Sequence, residues 1–264
     1  MTLSPRERAC ISIPILVVSG IAWMVLLLNS GSSTLAHCVV TDSGASSASL
    51  RMLLQMNPPS SLAAGWAIML VAMMSLTLIT PISHIVARSF SHRRLRAIAL
   101  FILGYAAIWM AAGGVLLSAR LALTLLFGQS YLPAIAVGIV ALVWQCSPIK
   151  QRCLNRNHNH RELAAFGLAA DWDVLNFGIT HGVWCVGSCW ALMLFPMMLP
   201  AGHLAAMAAV TFLMISERLE EPQPLGWRLS LRGKLMRIII AQTYIRLQRR
   251  SSRAGSLTAA GVDG

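Results

Sequence analysis

Long apolar runs alternate along this chain with short polar and basic gaps. The runs cover residues 11–28, 62–86, 97–117 (with an apolar extension towards Leu126), 132–144, 176–199 and 204–215. Most approach or exceed the roughly 17 to 25 apolar residues that a helix needs to cross a bilayer. The fourth and sixth are short. Residues 29–60 are rich in Ser and Gly, include NPPS, and read as an external loop. RSFSHRRLR and QCSPIKQRCLNRNHNHRE read as basic turns, and PAGH as a tight one. The pattern predicts an all-α fold, a polytopic membrane helix bundle of about six transmembrane helices.

The pattern changes after Pro224. GWRLSLRGKLMRIIIAQTYIRLQRR carries seven basic residues, and Trp227, Leu231, Leu235, Ile238 and Ile245 fall on one helix face. This predicts a C-terminal basic amphipathic helix lying on an acidic leaflet. A seventh span would put too many charges in hydrocarbon. The expected division is a transmembrane domain over residues 1–220 and a cytoplasmic helix and tail over 221–264, disordered after 251.

Composition agrees: hydrophobic residues make up 56% and charged residues 11%, against about 25% charged in a soluble domain. A net charge of +12 suggests nucleic acid until the charges are placed. With the N-terminus inside and six spans, nineteen of the 21 Lys and Arg lie on the inner face, leaving Arg51 and Arg120 outside. That is the bias of a cytoplasmic membrane surface, and no nucleic-acid-binding signature accompanies it. Both termini are expected in the cytoplasm. The first run is long for a signal peptide, so it is read as a retained span. Of six cysteines only Cys38 is expected outside, so the thiols should be reduced.

The chemistry concentrates in HGVWCVGSCWALM, residues 181–193. His181, Cys185 and Cys189 fall at four-residue steps, and Met193 and Met197 continue the row. Four residues advance a helix face by about 40°, so the donors form one stripe. Soft sulfur donors select Cu(I), with zinc as second choice. At about 1.5 Å per residue, Met73 on the second span reaches the depth of Cys189, with Met74 beside it. His84 reaches the depth of His181. The candidate metal ligands are therefore His181, Cys185, Cys189, Met73, Met74 and His84. The competing reading is a helix-packing seam, for which Gly182, Gly187 and Ser188 are well suited. Cys146, Cys153, His158 and His160 offer a weaker docking site for a soft ion, and His37 with Cys38 a weaker one still. Glu217 beside Arg218 is read as a local ion pair, and Asp171 and Asp173 as favourable charges at a helix start. No nucleophile motif or phosphate loop points to an enzyme.

Several segments resemble one family in their order: MLVAMM, ILGYAAIWMAAG, QCSPIKQRCL, HGVWCVGSCWALM and SER. The chain resembles the bacterial predicted metal-binding integral membrane proteins (domain of unknown function 2182), often described as copper chaperones. The likeness runs from about residue 60 to about 220. It implies the bacterial cytoplasmic membrane and a link to copper. It maps the family's motifs onto Ala72, Met73 and Met74, onto Tyr105 and Trp109, and onto Pro148, Ile149, Lys150 and Cys153. Its longest motif falls on His181, Gly182, Cys185, Gly187, Ser188, Cys189 and Trp190, and its ending on Glu217 and Arg218. Ser188 and Asn157 stand where the family usually has cysteine, Ser75 follows Met74 without the usual proline in place, and the basic tail replaces a last span.

Two main readings follow. In the first, the protein binds a soft metal, copper foremost, and assists its transfer, with the lipid bilayer and a soluble metal carrier or metalloenzyme as partners and no nucleic acid. In the second, it is a structural or accessory membrane subunit without an ion. A metal-using enzyme and a transporter are the further alternatives.

Overall fold

The computed structural model describes residues 4–30, 58–127, 130–158, 167–227, 241 and 244. The described residues form helices α1 (Pro5–Ser30), α2 (Pro59–Met74), α3 (Ile79–Arg88), α4 (Arg94–Phe127), α5 (Leu132–Cys146), α6 (Pro148–His158), α7 (Gly167–Met198) and α8 (His203–Arg218), with no strand among them. Four continuous helical stretches are long and apolar enough to cross a membrane: Arg6–Asn29, Pro59–Arg88, Ser91–Phe127 and Gly167–Met198. A fifth is the pair α5 and α6, bent by 62°. At 16 residues α8 is about 24 Å long, short of the roughly 30 Å hydrocarbon core. Most of the predicted amphipathic tail, His37, Cys38 and His160 lie outside the described residues, as does most of the proposed second domain.

The helix containing the second apolar run tightens to a 3-10 turn over Ser75–Leu78, between α2 and α3. A change of hydrogen-bond register leaves backbone groups to be satisfied from elsewhere. The carbonyl of Ala72, just before the turn, accepts from Ser19 Oγ (3.1 Å) and Trp23 Nε1 (3.0 Å), both on α1. Thr77 Oγ1 donates to the Met74 carbonyl at 2.7 Å. The break therefore costs no orphaned acceptor there, and it ties α1 to the bundle.

α7 is the central post, packed mainly on α4, α5, α6 and α8. Its closest neighbour is α4, and glycine makes the approach possible. A Cβ on Gly178 would strike the Phe101 carbonyl, one on Gly104 would stand 2.7 Å from the Leu175 carbonyl, and one on Gly182 would stand 3.0 Å from Ile108. Small residues at such seams let helix backbones pack directly. At the α4 and α7 ends, Asp171 is clamped by Arg93 (2.5 Å) and Arg96 (2.6 Å). Asp171 thus joins two helices, a role beyond the helix-start charge expected of it.

The segment expected as a basic loop after α5 is instead helical over Pro148–His158. Ser147 takes an extended backbone and caps it, with Ile149 N–H donating to Ser147 Oγ at 3.1 Å. Proline follows as the first helical residue, where its missing N–H costs nothing. Lys150, Cys153, Leu154 and Asn157 share the buried face. Cys153 faces α7, its sulfur 2.8 Å from where a Gly187 Cβ would stand. This corrects the docking-site reading of Cys153, whose thiol is packed rather than presented.

Candidate metal centre

Residues spaced by four on α7 share its inward face, and the surrounding helices close over them. Cys185 is fully buried, Cys189 is 2% exposed and His181 is 5% exposed. The row is therefore turned into the bundle. The two thiols stand one helical turn apart on this buried face. Around Cys185 stand two further groups. Arg218 Nη2 donates to Cys185 Sγ at 3.0 Å, and the Tyr105 hydroxyl lies 3.4 Å from the same sulfur. Ser188 Oγ donates to the Cys185 carbonyl at 2.8 Å and lies 3.3 Å from Cys189 Sγ.

This arrangement corrects the reading of Glu217 and Arg218 as a local pair. Successive residues on a helix point about 100° apart and do not face each other. Arg218 turns to the thiols, while Glu217 turns to α5 and α6. There Lys150 Nζ meets Glu217 Oε1 at 2.6 Å, with side chains only 2% and 3% exposed. Gln145 bridges the pair, donating to Glu217 and accepting from Lys150. The last turn of α8 thus places a cation on the sulfur pair and an anion on the α5–α6 elbow.

His181 sits one turn before Cys185 among aromatic rings: Phe101, Tyr105 and Phe177, with ring centroids 5.8, 6.0 and 5.9 Å away. Tyr105 therefore touches both His181 and Cys185. His84 was expected to meet His181. Its ring packs on Phe177 at 6.1 Å, so the two imidazoles share a phenyl neighbour. Met73 and Met74 are fully buried and belong to the same apolar core cluster as Cys185 and Cys189. Their helix, α2, packs mainly on α1, α4 and α8 rather than on α7. Among the described residues no three His, Cys, Asp or Glu side chains are gathered closely enough to hold one ion. What is assembled is a two-sulfur site.

A buried dithiol beside a guanidinium suits a monovalent soft cation better than zinc. Structural zinc takes four ligands and catalytic zinc at least three. Cu(I) is stable between two sulfurs. A family model described as PpoB2: Copper chaperone matches residues 63–233. The chain belongs to the PpoB2 copper chaperone family. No curated protein and no solved structure matches it. The stretch matched by the copper chaperone family holds α2 to α8, and with them the dithiol, the buried methionines and Arg218. The sequence pattern reaches the sulfurs but not Tyr105 and Arg218 as their neighbours. The spacing of Tyr105 and Trp109, four apart on one helix, was the available signal.

Proposed function

We propose that the protein is a multi-pass protein of the bacterial cytoplasmic membrane, with its N- and C-termini in the cytoplasm, that takes Cu(I) as cargo on Cys185 and Cys189. The observation that carries this reading is Arg218 Nη2 at 3.0 Å from Cys185 Sγ. Two thiolates and one Cu(I) carry a net charge of minus one. A lone charge in a low-dielectric interior is costly, and a fixed opposite charge offsets it. Arg218 supplies that charge from the end of α8. His181 flanks the pair one turn towards the cytoplasm. Met73 and Met74 are secondary soft donors in the same core, and His84 lies behind Phe177. The orientation rests on the basic bias of the inner face.

Release to a soluble metal carrier or metalloenzyme would complete the task, since a chaperone hands its metal on. Chemistry other than ligand exchange is not required, and no catalytic role is assigned. The test is the metal content of protein purified from membranes under reducing conditions. Wild type should carry about one copper per chain, as one two-sulfur site implies. Cys185→Ser with Cys189→Ser should carry none. Equal copper in the two proteins would reject the site, and copper-free wild type would favour the helix-packing reading of the stripe.

A further inference from the structure

A cavity of about 420 Å³ opens at the end of the bundle away from Arg218. Its walls are the last turn of α1, the first half of α2, α4 near Arg120, and the turn between α7 and α8. Such a volume lies within the usual range for ligand pockets. Two thioethers line it, Met69 from α2 and Met197 from α7. One helical turn inward from Met69 is Met73, fully buried. One turn inward from Met197 is Met193, fully buried, and the next two turns bring Cys189 and Cys185. Each four-residue step is about 6 Å along the axis. α8 packs on both α2 and α7, and its buried Met207 and Met214 belong to the same core cluster as the two rows.

We infer that this cavity is the intake port for Cu(I), and that the row Met197, Met193, Cys189, Cys185, supported by Met69 and Met73, conducts the ion from the cavity to the dithiol. The inference rests on the proposed Cys185–Cys189 site. It adds a source, the outer face, and a direction, inward. Each step is ligand exchange without change of oxidation state. A new copper–sulfur bond forms as the trailing one breaks. Thioethers lose no proton; the two thiols do so on binding, and those protons pass to solvent. Arg120 lines the same cavity, and no carboxylate pairs with it among the described residues. Its charge opposes hydrated divalent ions, which are held largely by electrostatics. A Cu(I) ion is drawn by sulfur covalency despite that charge, so the mouth selects for softness.

The experiment loads reduced, full-length protein in sealed proteoliposomes from the Cu(I)–acetonitrile complex supplied on the cavity side, following the copper–thiolate absorption band in time. Met69→Leu with Met197→Leu removes both thioethers at nearly constant volume. The expected result is loading slowed by about tenfold or more, with the final copper per chain unchanged. A second variant, Met193→Leu, should slow loading in the same way. Wild-type rates in both variants would overturn the route while leaving the dithiol site intact. Loss of final copper in the Met69/Met197 variant would make those thioethers equilibrium ligands and also overturn it. No thiolate band in wild type would instead sink the dithiol reading on which the route depends.

Discussion

Arg218 is the residue on which the site's electrostatics turn. It stands 3.0 Å from Cys185 Sγ, held there by the end of α8. Outer-sphere partners of metal ligands commonly matter by about 10- to 100-fold in affinity. Arg218→Met should therefore weaken Cu(I) binding by about that factor in competition with a chromophoric chelator, and Arg218→Lys should keep part of it. Unchanged affinity in Arg218→Met would show that the charge is irrelevant. Acidification should release the metal, because the thiols must lose protons to bind it and regain them as pH falls. The row His181, Cys185, Cys189 was legible in the sequence, because the side-chain types and the helical period sufficed. Arg218 was not legible as its partner. Adjacency to Glu217 suggested a pair, whereas helix geometry sends the two side chains to different neighbours.

At the scale of elements, two contacts hold the site in place. The α4–α7 seam depends on Gly178 lying against the Phe101 backbone, with no room for a methyl group. Gly178→Ala should destabilise the bundle by about 1–3 kcal/mol, the usual cost of overpacking, seen as a lower thermal midpoint in detergent. A midpoint equal to wild type would mean that the helices shift apart freely. The second contact is Lys150 with Glu217, which binds the α5–α6 elbow to α8. Lys150→Met leaves a buried carboxylate without its cation, which should cost about 3–5 kcal/mol. Adding Glu217→Gln should recover much of that loss in the same melting assay, and no recovery would deny the pairing. α6 itself was hidden from hydropathy by its many polar residues. Its amphipathic spacing, Lys150, Cys153, Leu154 and Asn157, and the Ser-Pro start were both present in the letters. A lysine on the buried face masked the pattern, since its tertiary partner lies 67 residues away.

For the whole molecule, the apolar runs located the long helices well, because a long apolar run leaves a composition signal independent of tertiary contacts. The helices run further than the runs did. α7 extends to Gly167 and α4 to Arg94, where Asp171 and the arginines join them beyond the apolar stretch. Which helices touch was not legible. Depth counting placed Met73 opposite Cys189, and both lie in one buried cluster, while α7 packs most closely on α4, and α2 on α1, α4 and α8. Besides the buried Lys150–Glu217 pair, the core encloses a polar centre of two sulfurs and a guanidinium. The most direct test of that centre is X-ray absorption at the copper edge on the full chain loaded with one Cu(I). A first shell of sulfur with two short thiolate bonds is expected, absent from Cys185→Ser with Cys189→Ser. A shell of nitrogen and oxygen alone, or the same sulfur shell in that double variant, would contradict it.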